Sequence, residues 1–194
     1  IGLCLVGSEM CIRDSGISDY RTEYALIDNP RGIVPVGDKL YVLHAKWGKG
    51  NQFDGMFLSV LEDRDGDGMA DGPPKHLVKE ISTRKFNQSR GVDHTTNGIR
   101  MGIDGWIYVA VGDFGFVDAE GTDGRKLTMY GGGIIRVRPD GTELETYADG
   151  LRNIYDVAID PFMNVFTRGN TNDGGGWNMP VSYTHLTLPT NCVV

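Results

Sequence analysis

No stretch of this 194-residue sequence reaches the ~18 consecutive apolar residues that a membrane-spanning helix requires. A basic field is missing too: 19 Lys and Arg face 26 Asp and Glu, a net charge of −7. A nucleic-acid surface needs the opposite balance, so nucleic acid is excluded as a partner. Cysteine is confined to the extremities, at Cys4, Cys11 and Cys192. The long middle therefore has no disulfide, no thiolate metal site and no CxxCH haem attachment, and its cysteine usage says nothing about compartment. No apolar stripe of 3.6-residue period is long enough to predict a helix. What the sequence does have is 28 glycines, with Asp and Asn spaced between short apolar runs. That composition favours turn-rich β structure.

The ends read differently from the middle. Leu5–Ser15 is LVGSEMCIRDS and Val181–Thr190 is VSYTHLTLPT. Both runs resemble translated sequencing-adapter DNA, one from each side of an insert. Residues 1–15 and 181–194 are set aside on that ground, leaving residues 16–180 as the natural segment. A signal peptide at Ile1–Gly7 is disfavoured, because it lacks a basic start and an apolar core of sufficient length.

Within 16–180 the expected class is all-β. Strands are predicted at Leu40–His44, Met56–Leu61, His76–Ile81, Trp106–Val111, Gly133–Val137, Leu144–Tyr147, Ile154–Ile159 and Val165–Thr167. They are rich in β-branched and aromatic residues and bounded by turn formers. A repeat underlies them. Arg31–His44 reads RGIVPVGDKLYVLH, Asn97–Val111 reads NGIRMGIDGWIYVAV, and Arg152–Thr167 reads RNIYDVAIDPFMNVFT. Each copy is an apolar strand, a turn carrying Asp38, Asp104 or Asp160, and a second apolar strand. After the first two copies another strand pair follows, joined by LEDRDGDG or VRPDGTE. Four strands per repeat, at a spacing of ~55–65 residues, describe the blades of a propeller with long loops. A closed propeller needs ~4–8 blades, so the segment supplies a partial β-propeller of about two to three four-stranded blades.

Two constellations stand out. Asp63, Asp65, Asp67 and Asp71 form DRDGDGMAD, with the spacing of a calcium loop and Gly68 at its sharp turn. Hard carboxylate oxygens suit Ca²⁺, but Pro74 occupies the place of the bidentate Glu and the flanks read as strands, so the loop is not an EF-hand. A structural Ca²⁺ and a solvated acidic hairpin turn both remain open. The second constellation is His94 in DHTTNGIRMGIDGWIYVAVGDFG, ending at Gly112-Asp113, with GLRN at Gly150–Asn153 and Asp160-Pro161 beyond.

These motifs resemble the glucose/sorbosone dehydrogenase family of soluble PQQ-dependent glucose dehydrogenases. That family has a His, then a Gly-rich strand, G-P-D, and a strand ending in G-D; later comes G-L-R-N, an apolar strand and D-P. Ile103 replaces the Pro of G-P-D, between Gly102 and Asp104. The resemblance implies a six-bladed propeller in which His94 is the general base, oriented by Asp113. An imidazole, with its ordinary pKa of ~6.5, suits that role when a carboxylate fixes its tautomer. It also implies that Arg152 stabilises the quinone oxyanion, that Asn153, Arg152 and His94 contact PQQ, and that Ca²⁺ sits beside the quinone. The substrate would be a sugar or other alcohol, the acceptor a cytochrome c, and the parent protein periplasmic or secreted. The segment alone would be inactive, because other blades supply most of the pocket.

The sequence departs from the family in two places. Gly98 stands where an Arg often touches the quinone, and Arg168–Asn178, RGNTNDGGGWN, replaces an acidic calcium-holding segment. Asn170, Asn172 and Asp173 still offer oxygens there. The DGDG loop and the NTNDGGGW run bring the chain closer to related propellers of planctomycetes and verrucomicrobia that carry a membrane-bound-dehydrogenase label. Plainer readings stand beside these roles: His94 as a strand cap, Asp104 and Asp113 as turn formers, Arg152 in an ion pair. His44 and His76 read as structural, and Trp47, Trp106 and Trp177 as packing. On those readings the chain is a non-catalytic carbohydrate- or protein-binding propeller; a Ca²⁺-dependent lactonase is the third reading.

Overall fold

The computed structural model describes residues 27, 29–47, 52–90, 94–169 and 181–184. Of the expected adapter stretches, 1–15 and 185–194 lie outside the described residues, and 181–184 form a strand. The described chain is all-β apart from one short helix, with three antiparallel sheets.

The first sheet begins as a meander of β1 (Pro30–Val36), β2 (Lys39–Trp47), β3 (Phe53–Glu62) and β4 (Lys75–Lys79). Gly37, at φ +61°, turns β1 into β2, and Val36 pairs with Lys39 across that tight hairpin. The helix α1 (Arg84–Arg90) follows β4. The second sheet uses β5 (Thr96–Met101), β6 (Ile107–Val111), β9 (Gly132–Val137) and β10 (Glu145–Leu151), in the order β10-β9-β6-β5. Between β6 and β9 the chain leaves this sheet. The hairpin β7 (Phe116–Gly121) and β8 (Lys126–Met129) crosses to the first sheet and pairs with β4, giving the order β1-β2-β3-β4-β7-β8. The third sheet is β11 (Val157–Ile159), β12 (Val165–Arg168) and β13 (Val181–Thr184). The leading strands β1, β5 and β11 lie side by side, β1 against β5 and β5 against β11.

Strand alternation explains how the sheets stack. Successive side chains point to opposite faces, so a strand buried on both faces reads as one apolar run. In β6 every residue of IYVAV is buried. Ile107, Val109 and Val111 join Leu43, Leu58 and Val78 of the first sheet in the main core. Tyr108 and Ala110 face the other way, with Ile154, Val157 and Val165. On the far face of the first sheet, Ile27, Leu40, Val42 and Leu61 form a third cluster.

The predicted strands all have counterparts, with shifted ends. β10 runs on to Leu151 because bulges between Thr146, Ala148 and Leu151 carry its pairing past the turn-like ADG. Four elements are not predicted individually. The hairpin β7–β8 hides its period of two behind a bulge between Phe116 and Ala119. Helix α1 has one large apolar residue, Phe86, and so no stripe. Strand β13 falls in the stretch that was set aside; Val165↔Thr184 and Arg168↔Val181 mark its register on β12.

Candidate functional site

Antiparallel pairing brings four chain points to one end of the second sheet. His94 lies just before β5, Asp113 just after β6, Gly132 opens β9, and Arg152 follows β10. Thr96 pairs with Val111, Val111 with Gly133, and Leu151 with Gly132, so these points are neighbours although the sequence spreads them over 59 positions. His94 Nδ1 lies 2.6 Å from Asp113 Oδ1, and Arg152 Nε lies 4.0 Å from Asp113 Oδ2. All three side chains are roughly three-quarters buried. Asn153, next in the chain, is buried. The sequence-predicted set His94, Asp113, Arg152 and Asn153 is thus gathered at one place.

Glycines make the gathering physically possible. A Cβ on Gly112 would meet the His94 carbonyl oxygen at 2.4 Å and that of Thr95 at 2.5 Å. The backbone locks there: Gly112 N–H donates to Thr95 O at 2.9 Å and Phe114 N–H donates to His94 O at 3.1 Å. A Cβ on Gly132 would likewise meet Arg152 O at 2.2 Å. The Gly of the G-D motif therefore lets the His94 backbone pass under the turn, which sets the imidazole on the carboxylate. His94 is also stacked on Phe114, with ring centroids 5.1 Å apart and 20° between planes, and Phe114 touches Phe86 of α1 at 5.1 Å.

A carboxylate accepts and cannot donate, so Nδ1 of the neutral imidazole carries the proton. Nε2 is left as the basic nitrogen. A base oriented by a carboxylate, with a guanidinium on the same carboxylate, can take a proton from a hydroxyl and hold nearby negative charge.

The acidic loop lies at the opposite end of the sheets. Asp63, Asp65 and Asp71 each bring a carboxylate oxygen within 4.8 Å of the others. Asp63 is buried and accepts from Gly66 N at 2.8 Å and Gly68 N at 3.0 Å; Asp71 accepts from Arg64 N at 2.5 Å. Asp67 stands outside that group and accepts from Met69 N at 2.7 Å. The donor set is all hard oxygen, as Ca²⁺ prefers. Asn170, Asn172 and Asp173 lie outside the described residues.

The comparison with families meets this geometry in one result. A family model described as a domain of unknown function, DUF7133, matches residues 26–191. The chain belongs to the DUF7133 family. Of the two stretches that resemble adapter DNA, the matched span leaves out 1–15 and includes 181–191. No curated protein matches the chain.

Elsewhere in this DUF7133 chain, several candidates turn out to be local structure. Asp104 accepts from Tyr108 Oη at 2.8 Å and from Trp106 N at 3.3 Å, at the acidic-loop end. Gly102 makes room for it: a Cβ there would meet Asp104 Oδ1 at 2.3 Å. Asp160 holds Phe162 N, Asn164 N and Asn164 Nδ2, and these bonds keep its carboxyl below the usual range. Gly98 sits where an arginine would not fit, since even a Cβ would meet Asp156 Oδ1 at 2.2 Å. Trp106 is buried in the core beneath Arg136 and Arg138, at 4.4 and 3.8 Å from ring centroid to guanidinium, as a packing residue. The Trp47 side chain and Trp177 lie outside what is described.

One cluster was missed by sequence reasoning. Ser59 Oγ bridges His44 Nε2 at 2.9 Å and His76 Nδ1 at 2.8 Å, with Phe57 stacked against both rings. Burial pushes the His44 imidazole down to about 4, with His76 and Lys46 adding to it. The three sit on β2, β3 and β4, and only the pairing registers His44↔Phe57 and Ser59↔His76 bring them together. Linear spacing carries no signal for that.

Proposed function

We propose that this DUF7133 chain is part of a β-propeller and carries one share of a hydroxyl-oxidising site of the quinone-dependent sugar or alcohol dehydrogenase type. Convergence of His94, Asp113 and Arg152 at a single end of the sheets is the observation that supports it. Side-by-side leading strands and sheets buried on both faces are what radial blades require.

In this reading His94 Nε2 accepts the proton of the substrate hydroxyl. Asp113 holds the Nδ1–H tautomer and stabilises the imidazolium that forms. Arg152 offers a fixed, always-charged fork to an oxyanion. Asn153 supplies an amide for hydrogen bonding. An arginine and an amide beside a base fit an anionic, carbonyl-bearing group such as PQQ. When bound, PQQ would accept the hydride that leaves the substrate carbon as its hydroxyl becomes a carbonyl. His94, Arg152 and Asn153 are the residues of this chain that would hold it. Ca²⁺ in the Asp63–Asp71 loop would then be structural, because that loop is at the other end of the sheets.

The test is titration of PQQ with Ca²⁺ into the intact protein that contains this segment, following dye reduction with a panel of aldoses and alcohols. Turnover is expected, and His94→Ala should lower it ~10²-fold or more. Absence of both binding and turnover sinks the dehydrogenase reading. A second reading, a non-catalytic binding propeller, draws support from the apolar tips of two hairpins at the acidic-loop end. Ile103 is 76% exposed and Phe162 85%, and large apolar residues at such tips suit a docked partner.

A further inference from the structure

The His94–Asp113 pair belongs to the second sheet, yet the turn that carries Asp113 is held by the linker between β4 and α1. Thr83 caps α1 at its start, its carbonyl accepting from Asn87 N at 3.2 Å. A capping hydroxyl ordinarily serves its own helix by accepting from the first-turn N–H groups. Here the Thr83 hydroxyl donates instead to the turn that leads from β6 into β7, shared between Phe114 O and Gly115 O at 3.0 Å each. The Thr83 N–H also donates to Gly115 O, at 3.1 Å. Nearby, Thr96 Oγ1 donates to Ile81 O at 2.5 Å, tying the start of β5 to the same linker. The site is thus gripped on both sides of the imidazole: Thr96 follows His94 by two residues, and Phe114 follows Asp113 by one.

The linker is well anchored for this task. Gln88 Oε1 accepts from Phe53 N at 2.7 Å, fixing α1 to the start of β3. Asn87 Nδ2 donates to Ser82 Oγ at 2.7 Å. Phe86 packs on Phe114, which in turn stacks on His94. On the far side the turn has no slack. Gly115 is at φ +57°, and a Cβ there would meet Met129 O at 2.0 Å. A turn pressed between Met129 and Thr83 can shift only if one of them yields.

We infer that Thr83 is a positioning residue for the His94–Asp113 pair: its hydroxyl, offered from the linker between β4 and α1, holds the 112–115 turn so that the carboxylate meets Nδ1. The inference deepens the proposed function by making the site dependent on that linker. Its test does not depend on turnover.

The experiment is NMR of the histidine ring nitrogens in the intact protein, comparing wild type, Thr83→Val, Thr83→Ala and Thr83→Ser, with His94→Gln to assign the resonance. Wild type should show a slowly exchanging His94 Nδ1–H. Thr83→Val and Thr83→Ala should speed its exchange about tenfold, the loss expected for one net hydrogen bond. Thr83→Ser, which keeps the hydroxyl, should restore the slow exchange. Wild-type exchange in the Val and Ala variants would overturn the inference. So would global unfolding of both, since a positioning role requires that the fold survive. If dye reduction fails in wild type while the Nδ1–H behaves as described, the dehydrogenase reading falls and the positioning role stands.

Discussion

At the acidic-loop end four carboxylates fold back onto the chain that carries them, while Asp123 also accepts from Glu143 N and Asp104 lies 3.9 Å from Arg136. Asp160 binds residues two and four positions on, Asp140 binds Thr142, and Asp65 and Asp67 each bind the N–H two residues ahead. At the opposite end Asp113 engages His94, 19 residues back, and Arg152, 39 residues on. The first arrangement is ordinary turn chemistry, in which short polar side chains satisfy local N–H groups. The second satisfies a carboxylate with two side chains from other elements. Only the second brings a basic nitrogen and a cation together, as the proposed function requires.

The largest expected effect contrasts glycines at the two ends. Gly112→Ala should destabilise the intact protein by about 3 kcal/mol, because its Cβ has no room beside His94 O and Thr95 O. Gly105, at φ +77° in open space, should cost only ~1 kcal/mol when replaced by Ala, the strain of a left-handed residue. Denaturant midpoints check both. Equal costs would mean that the His94 end is not tightly packed.

Acid should separate the ends in the same way. His44, buried within the first sheet, has a folded-state pKa lowered to about 4, below its unfolded value of ~6.5. The fold favours the neutral form, so that stability is complete above ~6.5 and drains away as pH falls towards about 4. The loss should approach ~3 kcal/mol at most. Asp140 and Asp160 are also depressed, chiefly by hydrogen bonds from Thr142 and Asn164. Their contribution is lost only as pH falls below the ordinary carboxylate range. His76 is depressed by burial too, so melting His44→Asn between pH 7 and 4 should shrink the upper phase and leave the lower one; an unchanged upper phase would assign it elsewhere.

The smallest effect is local. Asp160→Ala deletes three hydrogen bonds of one exposed turn, and should lower the melting temperature only slightly, with no change at His94. Thermal unfolding with the His94 resonance as reporter checks it.

Much of this comparison was legible in the sequence, and unevenly so. The repeated strand-Asp-strand pattern predicted the hairpins, because turn chemistry acts over four or five residues. The positions of His94, Asp113, Arg152 and Asn153 came from motif resemblance, and the sheet pairing then brings them together. What linear reading could not supply was anything set by register or by a crossing. The His44–Ser59–His76 bridge needs three strands in alignment. The β7–β8 hairpin leaves one sheet to extend another. Nothing in its linear surroundings marks Thr83, which the fold sets against Gly115.

Asp113 and Asp104 differ in kind, although each follows a glycine-bearing turn motif: Asp113 meets His94, and Asp104 meets Tyr108. The most direct measurement is PQQ- and Ca²⁺-dependent dye reduction by the intact protein in two variants, Asp113→Asn and Asp104→Asn. Asp113→Asn should lower turnover ~10²-fold, as loss of an oriented base does, and Asp104→Asn should leave it near wild type. Undiminished turnover in Asp113→Asn, or equal losses in both, would contradict the placement of function at the His94 end.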